Sequence, residues 1–350
     1  MTVRALPDDL HSFARQVLVR VGMADADAGV IADRLLDASL RGVDSHGLGR
    51  LPLFVNPIAT GSLPARPQIT VVTDAMAVAL VDGGGGLGFV PATRAMHMAV
   101  AKSEQYGVGM VAVRNTGHFG MAACYPLLAV AARKVGVACS NSNPLVAAPG
   151  ARARTVGNNP FAFGAPAGDR PAVVLDVACS VASMAKIRDA LERGARIPLD
   201  WGIDAHGRPT GDPRAVIEGG ALAPFGGHKG FGLALLVEIL TGIMTGGAFG
   251  LDAHAGLRYA EGAGRVAHWM LAVDVTRFLP ADDFARRMEA WIARLKALDT
   301  VTGEGVRFPG ERAAREAEAR AREGIPLTEE EVTGLRDLST RYGVPLPADR

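Results

Sequence analysis

The chain has 350 residues, 49% of them hydrophobic, 21% charged and 5% aromatic, which is enough to bury a sizeable core in two lobes. Charge is nearly balanced, 37 Lys+Arg against 36 Asp+Glu, with no run of five like charges, and this argues against a nucleic-acid or anionic-membrane partner. The three cysteines (Cys124, Cys139, Cys179) form no CxxC, so neither a disulfide framework nor a cysteine zinc site is expected.

Helical spacing of apolar residues predicts a helix over residues 8–21, and Asp25 stands where it could cap a second, running to about residue 41. The start lacks the basic and apolar segments of a secretory signal. ITVVTDA and AVALVDG read as two short β-branched strands joined by a turn. Residues 91–106 follow as a helix with Pro91 in its first turn. A strand at 108–114, a glycine-rich loop, a helix over 121–134 and a strand at 135–140 come next, the last ending in NSNP.

The middle, residues 151–227, is loop-rich: TVGNNPFAFGAP, the strand AVVLDVA, then a helical piece at 186–192. Residues 230–244 are a buried helix by composition. The apolar run there is too short to span a membrane and contains Glu238, so a cytoplasmic globular protein is expected. A strand at 269–275, an amphipathic helix at 282–298 and a charged helix at 311–323 complete the pattern with a last helix from Thr328, which forms a capping box with Glu331. Strands alternating with helices predict an α/β protein with more parallel than antiparallel pairing.

Gly83, Gly85 and Gly88 satisfy GxGxxG between a strand and a helix, the setting of a dinucleotide fingerprint. The acid that should end the next strand is absent; Arg114 and Asn115 stand there instead. A glycine turn between strand and helix is the preferred reading.

Three other segments could carry chemistry. DSHGLGR groups Asp44, Ser45, His46 and Arg50: a proton donor beside a carboxylate clamp is what reduction of a 2-oxo acid requires. The bland alternative is a helix end capped by Gly47. NTGHFG puts His118 on a loop between strand and helix, rigidly held and accessible. PFGGHKGFG offers backbone donors and Lys229 to a phosphate, or is a packing turn with a solvent-facing His228. No metal-ligand spacing and no GxSxG elbow occur, so no catalytic metal and no α/β-hydrolase are expected.

Taken in order, DSHGLGRLP, RNTGHFGMAACY, NSNP, TVGNNPFAFGAP, LDVACSVASMAKI, PFGGHKGFGLALLVEILTG and the PGE of residues 309–311 resemble the malate/L-lactate dehydrogenase-like family of NAD(P)-dependent oxidoreductases. That family includes malate, sulfolactate and ureidoglycolate dehydrogenases, diketogulonate reductase and reductases of cyclic imino acids. The resemblance implies an α/β, non-Rossmann cofactor domain around a largely antiparallel sheet, with a helical N-terminal and substrate-binding portion. It places residues 1–115 with 300–350 on the substrate side and 116–299 around NAD or NADP, and it implies a homodimer.

By matching position, His118 and His46 become the catalytic acid/base candidates, with His118 favoured for proton transfer, and Arg50 and Ser45 the substrate contacts. Ser142, Asp176, Val177, Ala178, Lys229, Pro309, Gly310 and Glu311 match cofactor contacts, and Thr155, Gly157 and Asn159 shape the same cleft. Met184 and Ala185 replace a common Arg–Gly pair, Cys179 a usual threonine and Phe54 a frequent tyrosine. The implied reaction is hydride transfer between NAD(P)H and C2 of a small 2-oxo acid of the malate, lactate or sulfolactate type. The alternatives are a reductase of cyclic 2-imino acids and an inactive nicotinamide-binding sensor.

Overall fold

The computed structural model describes residues 3–254, 264–301, 303 and 305–347. Helices Pro7–Arg20 and Asp25–Leu40 form an antiparallel pair whose apolar stripes, Leu10, Phe13 and Val17 on one and Ile31 and Leu35 on the other, share a core. Helices Leu51–Ala59 and Glu329–Tyr342 close that core, and strands Val3–Ala5 and Ile325–Leu327 pair beside it, so the two ends of the chain fold together. Thr328 and Glu331 make the expected capping box. Asp25 does not cap: it is the first helical residue, following Ala24, and its carboxylate accepts Arg15 Nε–H at 2.8 Å.

The larger sheet has seven strands in the order Thr70–Ala75, Val78–Asp82, Val108–Thr116, Val266–Val273, Val135–Ser140, Phe161–Ala167, Arg170–Val177. Its only parallel pair is Val78–Asp82 with Val108–Thr116, where helix Phe89–Tyr106 is the crossover; every other neighbour is antiparallel. The parallel expectation is thereby corrected and the antiparallel one from the family resemblance holds. For two of these antiparallel pairs the reason is local: strands ending at Ala75 and Ala167 restart at Val78 and Arg170 after two-residue turns, with Met76 (φ 46°) and Gly168 (φ 64°) in the left-handed region. A turn that short can join only antiparallel strands. Strands from both sides of residue 115 enter this one sheet.

A four-stranded sheet, ordered Gly202–Ile203, Ala221–Leu222, Pro144–Ala147, Arg154–Gly157, is covered by helices Met184–Glu192 and His228–Glu238. The helix at 228–238 continues through a π turn, Ile239–Ile243. Composition makes this segment wholly buried; the structure buries only the side bearing Ala234, Val237, Glu238 and Thr241 and leaves Leu235, Leu236, Ile239, Ile243 and Met244 between 41% and 52% exposed. Among the described residues no helix is long and apolar enough to cross a membrane.

Candidate active site

The first half of the site is the turn after helix Asp25–Leu40. Gly42 (φ 72°), not Gly47, ends that helix, and the chain passes through two single-turn 3-10 segments, Asp44–His46 and Leu48–Arg50. The glycines here are spatial requirements. A Cβ on Gly47 would lie 2.2 Å from Ser39 Oγ, and one on Gly49 2.5 Å from the Glu331 carboxylate. Ser39 Oγ also accepts the Leu48 N–H at 2.8 Å. On the turn, Ser45 Oγ stands 2.9 Å from His46 Nδ1. Desolvation lowers the His46 pKa, and the nearby Arg50 guanidinium lowers it further.

The second half is delivered by strand Val108–Thr116. The glycine run before helix Phe89–Tyr106 is bonded along it by backbone: Gly83 N–H to Arg114 O (2.9 Å), Gly85 N–H to Asn115 O (2.8 Å), Gly117 N–H to Gly86 O (2.7 Å) and Gly88 N–H to His118 O (2.8 Å). Gly83–Gly88 thus brace the loop that carries His118, and the preferred turn reading holds. His118 Nδ1 accepts the Gly120 N–H at 3.0 Å, so the neutral ring carries its hydrogen on Nε2. Burial pushes the His118 pKa down to about 3, with His46 and His268 adding in the same direction. Beside it, Phe119 is stacked between His268 (centroids 4.4 Å) and Tyr125 (4.9 Å).

The two motifs converge. The rings of His46 and His118 stack with centroids 5.5 Å apart and 23° between planes, and both line a cleft of about 420 Å³. Ser45, Ser142, Asp176, Ala178 and Gly310 line it too. Val177, Lys229, Pro309, Glu311 and Arg50 are not among the lining residues. Lys229 is exposed; Glu311 is buried and already paired with Lys296 and Arg315. Pro309 O accepts the Val174 N–H at 3.0 Å, tying the 309–311 turn to the sheet edge. Arg50 lies near His46 with its Nε buried and unpartnered.

The far wall is held by a buried polar knot. Glu238, 3% exposed, accepts Asn159 Nδ2 at 2.9 Å, Asn141 Nδ2 at 3.3 Å and the Gly250 N–H at 3.2 Å. Asn159 Oδ1 accepts the Ser142 N–H at 3.1 Å, and Ser142 Oγ donates to Asn158 Oδ1 at 2.7 Å. Gly157 has no room for a side chain: a Cβ there would be 2.3 Å from Ser142 Oγ. The opposite wall contains Asp176, whose carboxylate accepts the Ala123 N–H at 2.8 Å and whose pKa desolvation raises to about 6. Glu238, Asn141, Asn158, Arg41 and Arg312 escaped the sequence reading; for Glu238 the signal was an acid inside the most apolar run.

A family model described as malate/L-lactate dehydrogenase matches residues 6–336. The chain is 35% identical to malate dehydrogenase of Pyrococcus horikoshii, over 98% of this chain and 96% of that one. It is 34% identical to the delta(1)-pyrroline-2-carboxylate/delta(1)-piperideine-2-carboxylate reductase of Pseudomonas putida, over 96% and 97% respectively. The solved sulfolactate dehydrogenase of Methanocaldococcus jannaschii superposes with a TM-score of 0.91 at 30% identity, covering 99% of this chain and 98% of that one.

Proposed function

The chain belongs to the malate/L-lactate dehydrogenase family, and we propose that its cleft interconverts a small 2-oxo acid and the corresponding 2-hydroxy acid with NADH or NADPH. The observation that carries this reading is the His46–His118 stack across one cleft, with the proton of His118 fixed on Nε2 by the Gly120 N–H. Nε2–H is then the hydrogen-bond donor for the C2 oxygen as it gains charge; for the proton itself to pass from Nε2 without leaving an imidazolate, Nδ1 must take up a proton and release its bond from the Gly120 N–H. Ser45 bonds His46 Nδ1 and orients that second ring. The unpartnered Arg50 Nε beside His46 is a donor for the substrate carboxylate.

The walls fit a nicotinamide, which needs an apolar surface for its ring and hydrogen-bonding groups for its amide. Met121, Ala122, Val174 and Ala178 give the first, and Ser142 and Asn158 the second. When bound, the cofactor supplies or accepts the hydride at the substrate carbon. Ser142, Asp176–Ala178 and Gly310 would hold it, with Lys229, Pro309 and Glu311 flanking.

Arg41 and Arg312 bear on the substrate class. Both line the cleft, and neither guanidinium makes a hydrogen bond or close ion pair among the described residues, although Arg41 is near enough to Asp37 to act on its carboxylate. Such cations suit a 2-oxo acid with a second acidic group, as in oxaloacetate or sulfopyruvate. The second reading, reduction of a cyclic 2-imino acid, draws on the apolar part of the cleft lining, Val43, Phe119, Met121 and Val266, with the buried Phe54 behind His118 at 5.6 Å between rings. A homodimer would cover the exposed apolar side of residues 235–244.

The test is loss of reduced-nicotinamide absorbance with NADH and NADPH, each offered with oxaloacetate, pyruvate, sulfopyruvate and piperideine-2-carboxylate. Turnover of oxaloacetate or sulfopyruvate well above pyruvate is the expected result. Turnover of the imine alone selects the second reading, and cofactor binding without turnover of any member overturns both substrate readings, leaving another substrate or a nicotinamide-binding sensor.

A further inference from the structure

Arg320 is an outlier among the described arginines: it is 8% exposed, and its donors are nearly all engaged. Nη1 donates to Ser39 O at 2.7 Å and to Asp44 Oδ1 at 2.5 Å, Nη2 to Asp44 Oδ2 at 3.1 Å, and Nε to Glu316 Oε1 at 2.6 Å. This is a two-pronged fork on one carboxylate, the strongest and most directional form of ion pair available to a side chain. The carboxylate it grips begins the Asp44–His46 turn. The turn is closed on itself as well, by His46 N–H to Val43 O (3.0 Å) and Gly47 N–H to Asp44 O (3.1 Å). Asp44 is therefore fixed through both its carbonyl and its side chain, two residues from the histidine that faces His118.

The helix that carries Arg320, Glu311–Glu323, starts at the cleft: Gly310, Arg312 and Ala313 line it. Arg312 and Arg320 are eight positions apart, roughly 12 Å of helix. One rigid rod thus joins the cleft rim to the base of the histidine turn. Ser39, the other anchor of Arg320, is also the residue whose Oγ takes the Leu48 N–H.

We propose that Arg320 is a positioning residue for the catalytic turn: its fork on Asp44 sets where Ser45 and His46 stand against the substrate. The proposal rests on His46 being part of the machinery. A packing role alone would place Arg320 for stability and leave the geometry of the turn to its own backbone bonds. The fork, which reaches Asp44 rather than solvent, distinguishes the two.

The experiment compares Arg320→Met, Asp44→Asn, the double variant and His46→Ala in the full-length protein. Turnover is expressed per cofactor-binding site, with cofactor Kd and Tm recorded beside it. Asp44→Asn keeps the size of the side chain and serves where Arg320→Met folds poorly. If the fork positions the turn, each single variant loses about 10-fold or more in kcat, cofactor Kd moves less than about twofold, and the double variant is no worse than the poorer single. In parallel, the rate at which diethyl pyrocarbonate modifies His46, read by peptide mass spectrometry, rises in both single variants without a similar rise at His118; this readout does not depend on a known substrate. An unchanged kcat and unchanged His46 modification in Asp44→Asn, even with a lowered Tm, would overturn the proposal. Full turnover in His46→Ala removes the reading beneath it, and so the proposal too, whereas a dead His46→Ala beside a normal Asp44→Asn sinks the fork alone.

Discussion

The two histidines reach one cleft from two regions that are built by different means. His46 sits on a short turn whose own backbone bonds are reinforced by side-chain charge: Asp44 to Arg320, and Arg320 to Glu316. His118 sits on a loop fastened almost wholly by backbone, through the four bonds between residues 83–88 and 114–118 and the Gly120 N–H on its own ring. A backbone lattice permits no rotamer alternatives, and it fixes the tautomer of the group it carries. A charged fork can open and re-form, and salt screens it where it meets solvent. The difference makes the position of His118 a matter of backbone and that of His46 a matter of one ion pair as well, so the two rings should respond differently to substitution.

The sharpest way to break the comparison is to remove the backbone-held ring. His118→Ala should lower kcat by roughly 10² or more if Nε2 delivers the proton, with cofactor affinity little changed because the loop keeps its backbone bonds. Steady-state rates with titrated cofactor sites measure this. Near-normal kcat would transfer the role to His46.

A smaller effect follows from disturbing the lattice and leaving the ring in place. Gly88 has an ordinary helical φ of −76°, so alanine is conformationally allowed there, yet its Cβ would fall 2.3 Å from Gly117 O and 2.5 Å from His268 Nε2. Neither the backbone carbonyl nor the stacked ring can move cheaply. Gly88→Ala should cost about 3 kcal/mol, as overpacking does, and lower kcat with it. Urea unfolding and kinetics on one preparation would show whether the two losses travel together. Gly29→Ala is the control: nothing lies within 4 Å of its Cβ, and the site is a helix interior. There the change should stabilise by about 0.5–1 kcal/mol and leave kcat alone.

How much of this was legible in the sequence follows the same divide. The capping box of Thr328 and Glu331 and the span of helix Glu311–Glu323 are local features, readable from spacing and found in the structure. That DSHGLGR and NTGHFG each hold a histidine in a glycine setting was readable; that the two rings stack was not, because nothing local encodes their distance. The fork joins positions 276 residues apart, and Arg320 lies in a run of alternating charges that looks like an ordinary solvated helix. The glycines of residues 83–86 were legible as a turn, but the strand they brace comes about thirty residues later. Sheet direction failed for a comparable reason: the turn between the first two strands was visible, whereas strand Val266–Val273 pairs with Val108–Thr116 and Val135–Ser140 across a long sequence separation that nothing local encodes.

His268 lies behind the backbone-held side, and its effect is confined to acid. It is fully buried, stacked on Phe119, with Nδ1 2.8 Å from Ser140 Oγ, and burial pushes its pKa down to about 3. An unfolded histidine titrates near 6.5. A depressed histidine contributes stability that is complete above the unfolded value and is lost as pH falls toward the folded one, because the unfolded chain takes up the proton first. Between pH 7 and pH 5 this single group should therefore cost the native state about 2 kcal/mol. His268→Phe keeps a ring against Phe119 and cannot be protonated, so the difference in unfolding free energy between pH 7 and pH 5 should shrink by about that amount. The remaining acid dependence then belongs to His118 and to the carboxylates. Because His118 is present in both proteins its share cancels in the subtraction, and an unchanged pH dependence in His268→Phe would mean that His268 takes up its proton in the folded protein over the same pH range as in the unfolded chain, despite its burial.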